Sequence, residues 1–261
     1  MISRVVGRDA YRRGRTRRLT LQYFGDRRDL DKYDLLLALG QSGHWPGGLA
    51  IVPMLTPDDN ARHGHLRSRR RDRHPGLRAF LESAEAPSLQ GVADFMRQQG
   101  VLCQIMTEEL LADATRAAYV GTLPTQDLGS RVTFLDPDMG LEVPSRRTTA
   151  YLRYSELADI YRRLGTDTVL VVYQHMPHQD HAVFRTILQE RLATQAGIRQ
   201  GGLIEMGDVG FVVTMKSPTS SAVTEDVVAR YAQSRSGVSC HFWGADDPAS
   251  SREGGGGNHG R

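Results

Sequence analysis

Asp136-Pro137-Asp138-Met139-Gly140-Leu141-Glu142 follows the apolar run at 131–135, which sets three carboxylates just beyond the end of an expected strand. Carboxylates in such a place can accept a hydrogen bond from an amino group, take up a proton, or ligate a hard divalent cation through oxygen. The same residue types also build tight turns, so a purely structural Asp-Pro-Asp turn is the competing reading. Three more polar clusters stand in comparable positions. Thr56, Asp58, Asp59 and Asn60 follow an apolar run at 49–55, where the two aspartates would serve either a site or a helix cap. Gln174 and His175 close the run at 167–175, with His178 and His181 shortly after. Gly25, Asp26, Asp29, Lys32 and Asp34 lie at the start of an N-terminal helix, where a solvated charged face is the alternative.

The elements that must position these residues follow from periodicity. Leu30, Tyr33, Leu36, Leu37 and Gly40 recur at helical spacing, with Asp29 as the expected N-cap. Residues 49–55 form a continuous apolar run of the length and character of a buried parallel strand. Helices are expected from Pro75 to Phe80, over 88–100 and over 107–119, and a short strand over 101–106. The pattern then predicts a strand at 131–135, a helix at 154–165, a strand at 167–175 and a helix at 181–197. It continues with a hairpin over 202–218, a helix at 224–235 and a last strand at 237–244. This order predicts an α/β fold: a mostly parallel, Rossmann-like sheet with helices on both faces and an antiparallel edge hairpin. In such a sheet the carboxyl ends of the parallel strands converge on one crevice, which is where ligands bind.

Pro177 prevents a continuous helix through His175, His178 and His181, so His175 alone, at its strand end, is the stronger candidate for chemistry. No G-x-G-x-x-G follows a strand, and neither a Walker pattern nor a G-x-S-x-G nucleophile elbow is present. Two cysteines, Cys103 and Cys240, are too few for a disulfide framework or a zinc knuckle and suit a cytoplasmic chain with reduced thiols. No apolar run approaches the roughly 20 residues needed to cross a bilayer.

The charge of the 261-residue chain is uneven. Residues 1–18 and 62–78 each carry seven arginines against one aspartate, so the formal total of +3 leaves the remainder at −9. Only Lys32 and Lys216 are lysines. Residues 1–18 read as a flexible Arg-rich extension, 19–245 as a single domain containing the Arg-rich loop 62–78, and 246–261 as a flexible Gly-rich tail. Guanidinium groups fork onto phosphate oxygens, which makes the loop a candidate nucleic-acid contact. A coding bias for arginine over lysine is the alternative.

Gly25-Asp26, Asp29, Leu30, Lys32 and Tyr33, then Phe134-Leu135-Asp136-Pro137-Asp138, then Ser239-Cys240-His241-Phe242-Trp243 together carry a resemblance. The chain resembles class I methyltransferase-like proteins, nearest the J-type large-subunit ribosomal RNA adenine-N6 methyltransferases, over 20–42 and 131–243. It departs from them in having Asp138 and Met139 where the family has a second proline and an aromatic residue. Pro53-Met54-Leu55-Thr56-Pro57-Asp58-Asp59 stands in place of the family's glycine-rich turn.

The resemblance implies S-adenosylmethionine as cofactor and methyl transfer to nucleic acid, with Asp136 accepting a hydrogen bond from the target amino group. On that expectation Asp136, Asp138, His175 and Lys32 are the candidates for chemistry. Asp26, Asp58 and Asp59 are the candidates for the cofactor, and Arg69, Arg70, Arg71 and Arg73 for the phosphates. A metal-dependent phosphodiesterase is a second expectation, with Mg²⁺ or Mn²⁺ held by Asp136, Asp138 and Glu142, joined by Asp26, and with His175 acting on water or the leaving group. A non-catalytic nucleic-acid-binding module on the same sheet is the third.

Overall fold

Two short parallel strands, Leu49–Val52 (β1) and Val132–Leu135 (β3), bring the distant segments 49–56 and 131–138 side by side. Their register pairs Leu49 with Val132 and Val52 with Leu135, so both strands end on the same row. β1 stops where Pro53 has no N–H to give the ladder. The computed structural model describes residues 27–56, 72–83, 88–107, 109, 111–123, 131–143 and 148–244. The extension 1–18 and the tail 246–261 lie outside them.

In chain order the elements are α1 (Arg27–Gln41), β1, α2 (Pro75–Glu82), α3 (Leu89–Gln98), β2 (Cys103–Ile105), α4 (Arg116–Thr122), β3, β4 (Gly140–Leu141) and β5 (Tyr151–Leu152). They continue with α5 (Tyr154–Arg163), β6 (Val169–His175), α6 (His181–Ala196), β7 (Gly201–Met206), β8 (Val209–Thr214), α7 (Pro218–Gln233) and β9 (Ser239–Trp243). The main sheet has the order β2-β1-β3-β6-β8-β7-β9. β2, β1, β3 and β6 are mutually parallel, while β8 runs antiparallel to β6 and to β7, and β9 antiparallel to β7. The α/β class, the mostly parallel Rossmann-like sheet and the antiparallel edge are therefore observed.

Alternation along the strands sorts side chains between two cores. Val132, Phe134, Val169, Val171 and Tyr173 pack on the face covered by α1, α2, α3 and α7. Leu135, Leu170 and Val172 pack on the opposite face with α4, α5 and α6. Among the described residues, no helix is long and apolar enough to cross a membrane.

Three local expectations are corrected, and one pair of strands is added. The helix expected over 107–119 begins only at Arg116. Leu111 N donates to Leu55 O at 2.7 Å, which holds the preceding segment against the exit of β1, and Thr107 Oγ1 accepts from Glu109 N at 3.1 Å in a local turn. The last helix starts at Pro218, not Thr224, because Ser217 caps it by accepting from Ser220 N at 3.1 Å and proline is preorganised for a first turn. Asp29 lies inside the first turn of α1 and does not cap it. The parallel pair β4–β5, unread in the sequence, joins Gly140 to Tyr151 and Leu141 to Leu152.

Candidate functional site

The chain passes from β1 to β2 on one side and then crosses to β3 on the other, so the sheet's topological switch lies between β1 and β3. The crevice beyond their carboxyl ends is the expected ligand position in an open α/β sheet. Asp136 follows β3 in the alternation that puts Phe134 beneath α1, and α1 meets it there. Lys32 Nζ lies 2.7 Å from Asp136 Oδ2 and 2.8 Å from Asp29 Oδ1. The ammonium also sits 5.2 Å from the ring centre of Tyr33 and 5.8 Å from that of Tyr173, distances of cation–π contact. On the other side of the crevice the Thr56 hydroxyl donates to Asp138 Oδ2, which ties the exit of β1 to the loop after β3.

Two carboxylates, those of Asp29 and Asp136, thus hold one ammonium between them. Burial pushes the Asp136 carboxyl up to about 6; Lys32 opposes the shift, and Asp29 and Asp138 add to it. Burial also works against the charge of Lys32, but Asp136 and Asp29 outweigh it and hold the ammonium well above its usual range. Lys32 is therefore a fixed cation, and Asp136 is the group whose proton is exchangeable near neutrality.

The loop bearing these acids is clamped onto β6. Gln174 Oε1 accepts from Leu141 N at 3.0 Å, its Nε2 donates to His175 O at 2.8 Å, and His175 N donates to Met139 O at 3.2 Å. Gly140 has φ +99°, and a Cβ there would lie 2.6 Å from Gln174 Oε1. This position requires glycine twice over, for its backbone angle and for the close approach.

Other candidates are distributed differently. His175 ends β6 on the α1 face, and its Nδ1 is buried without a hydrogen-bond partner. His181 leaves the crevice, its Nδ1 lying 2.8 Å from Glu205 Oε2. Glu142 accepts from Tyr154 N at 3.0 Å, satisfying the start of α5. The proposed metal set of Asp136, Asp138 and Glu142 is accordingly corrected: Glu142 is committed to a helix terminus and Asp136 to Lys32. Among the described residues, no group of three or more His, Cys, Asp and Glu side chains is placed to hold a metal ion.

Arg73 is a second correction. Its side chain is fully buried, with Nε 2.8 Å from Asp31 Oδ1 and 3.8 Å from Asp34 Oδ2, and NH1 3.4 Å from Asp72 Oδ2. It cannot reach a phosphate; it neutralises acids of α1. Asp34 belongs to the same network, accepting from His74 N at 2.7 Å and from Tyr231 Oη and Arg235 Nε at 2.9 Å each. The acidic helix start is thus no solvated face: Asp29, Asp31, Lys32 and Asp34 are all buried. Asp26, Asp58, Asp59, Arg69, Arg70 and Arg71 lie outside the described residues.

Arg28 and Asp208 went unread as site residues. Arg28 Nε and NH2 reach Asp208 Oδ2 at 3.2 and 3.1 Å, which joins the first turn of α1 to the β7–β8 hairpin. The signal available was that Arg28 precedes Lys32 by four residues, hence one helical turn, on the same side.

No known protein family matches the chain, and no curated protein does.

Proposed function

We propose that this chain is a methyltransferase that uses S-adenosylmethionine to methylate an amino group of nucleic acid. The observation that carries this reading is the Lys32–Asp136 pair at the carboxyl end of β3, 2.7 Å apart and beside the switch point. When bound, the cofactor would supply a methyl group on a cationic sulfur. Asp136 would accept a hydrogen bond from the target amino group, orient its lone pair and take up the proton released on nitrogen. Lys32 would hold that carboxylate in one rotamer and keep it ionised enough to act. Asp138, fixed by Thr56, would bound the pocket on the β1 side. The arginines at 62–71 would hold phosphates in a salt-dependent, largely sequence-blind manner.

Calorimetric titration with S-adenosylmethionine tests the reading, with micromolar binding expected. Asp136→Asn should retain the cofactor yet transfer methyl to RNA or DNA at least about a hundredfold more slowly. No heat at high micromolar cofactor, or full transfer by Asp136→Asn, overturns it.

A further inference from the structure

Asp29 is the second acid on Lys32. Its Oδ1 lies 2.8 Å from the ammonium, which meets Asp136 Oδ2 at 2.7 Å. Asp29 precedes Lys32 by three residues on α1, so the two share a helix face, while Asp136 arrives from the end of β3. None of the three side chains is more than 16% exposed, so water does little to offset their charges.

The charge of this cluster decides what a proton does to it. A lone Lys32–Asp136 pair would be neutral, and a proton on Asp136 would leave a buried ammonium without compensation, which a poorly solvated surrounding resists. With Asp29 the cluster holds one negative charge in excess, and one proton makes it neutral. Burial then favours uptake of that proton. Asp29 also remains bound to Lys32 once Asp136 is neutral, so the ammonium keeps a partner and its seat.

The other groups facing Asp136 leave this balance intact. The Tyr33 ring comes from α1 and the Tyr173 ring from β6, both against the Lys32 ammonium. Cys103 of β2 bears on Tyr33. Burial pushes the Tyr33 phenol up and the Cys103 thiol up to about 12, so both are uncharged at neutrality. Asp138, exposed and bonded to Thr56, adds negative charge at the rim. Burial is the largest cause of the raised Asp136 carboxyl; Lys32 opposes it, and Asp29 and Asp138 reinforce it.

We propose that Asp29 is a positioning residue for proton transfer at Asp136: by sharing Lys32 it makes the buried cluster one proton short of neutral, and it holds the ammonium in place when Asp136 takes that proton. The use of this proton transfer in catalysis rests on the methyltransferase reading; the shared ammonium and its effect on Asp136 do not. The proton would come from the amino nitrogen that is methylated. An N–H bond breaks with its electron pair left on nitrogen, and an O–H bond forms on Asp136.

Two variants of the full chain separate charge from shape. Asp29→Asn keeps the size of the side chain and an oxygen for the ammonium, and removes the charge. Asp29→Glu keeps the charge and alters the shape. Followed by carbon-detected NMR, the Asp136 midpoint should fall by about one pH unit in Asp29→Asn, a tenfold loss of proton affinity, and stay near that of the wild type in Asp29→Glu. A midpoint unmoved or raised in Asp29→Asn, or lowered equally in both variants, overturns the proposal. The wild type supplies a measurement that depends on no variant folding. Nuclear Overhauser contacts from the Lys32 side chain to the Tyr33 and Tyr173 rings should persist as Asp136 is protonated, and their loss on that titration overturns the seat assigned to Asp29.

Methyl transfer by Asp29→Asn should be about three- to tenfold slower at neutral pH, with its acid limb moved down together with the Asp136 midpoint. A pH profile identical to that of the wild type overturns the role in transfer. A lowered midpoint in a chain that binds no S-adenosylmethionine ends the methyltransferase reading and leaves the hold of Asp29 on Asp136 standing, so the two failures are distinguishable.

Discussion

Lys32 Nζ contacts Asp136 Oδ2 at 2.7 Å across 104 positions of sequence, and the contact closes α1 onto the carboxyl end of β3. Both side chains are largely withdrawn from water, which makes each dependent on the other. Removing one partner of such a pair leaves a buried charge without compensation, whereas the pair itself contributes little net stability. An arrangement of this kind is better understood as fixing a carboxylate for use than as holding the fold.

The proton affinity of Asp136 gives a pH dependence of definite sign. Its carboxyl titrates near 6 in the folded chain, against about 3.9 in an unfolded one. Folding therefore favours the protonated form. The stability from this group is full below about pH 4 and is lost as pH rises through about 6. Asp136→Asn cannot titrate. Urea denaturation of both proteins between pH 4 and 8 should show the wild type losing stability relative to the variant, by roughly 3 kcal/mol at most. Parallel curves would mean that Asp136 titrates as an ordinary aspartate.

Arg73 separates a structural arginine from the arginines around it. Arg73→Met takes the buried guanidinium away from Asp31, leaves Asp34 to Arg235, and should cost about 3–5 kcal/mol in chemical denaturation. Arg73→Lys should recover only part, because one ammonium cannot reproduce a fork that reaches Asp31 through Nε and Asp72 through NH1. Nucleic-acid affinity, measured where the variants remain folded, should not change.

The sequence made the elements legible where one physical signal dominated. Residues 167–175 could only be a buried strand, and Gly197 ends α6 in the left-handed conformation, at φ 69°. The strand ends were legible as well, because the order of elements fixes which ends of a parallel sheet converge. Which polar residues cooperate there was not. Asp29 and Asp31 are two positions apart on α1, yet one meets Lys32 in the crevice and the other meets Arg73 in the core. That division depends on which neighbour each face of α1 meets, and no local pattern encodes it. Likewise Glu142 shares a motif with Asp136 but spends its carboxylate on the start of α5. The segment 107–115 failed as a helix for the same kind of reason, since its contact with Leu55 is made across the fold.

Gly140, in the loop that carries the acids, should not tolerate a side chain. Alanine there must adopt a φ of +99° and would press its Cβ against Gln174 Oε1 and the Gln174 backbone. Strain of this kind costs about 1–3 kcal/mol, and relief requires Asp136 to Leu141 to lift from β6. Gly121→Ala is the matched control, since its Cβ meets nothing within 4 Å and lies in a helix that alanine favours. Thermal denaturation should place Gly140→Ala below the wild type and Gly121→Ala at or above it. Cofactor binding should weaken only in Gly140→Ala.

Lys32 decides whether Asp136 can act at neutral pH. In Lys32→Met the carboxylates of Asp29 and Asp136 keep their burial and lose the cation they share, so Asp136 should hold its proton more tightly. The Asp136 midpoint, followed by carbon-detected NMR, should move up by about one to three pH units, the influence of one opposite charge in contact. Most molecules would then carry a protonated Asp136 at pH 7, unable to accept a proton from an amino group. The acid limb of the methyl-transfer profile should move by the same amount.

Lys32→Arg keeps a cation against the Tyr33 and Tyr173 rings and should hold the Asp136 midpoint near that of the wild type. Its wider guanidinium would still move the carboxylate and slow transfer. A midpoint equally raised in both variants would mean that shape, and not charge, is what Lys32 supplies.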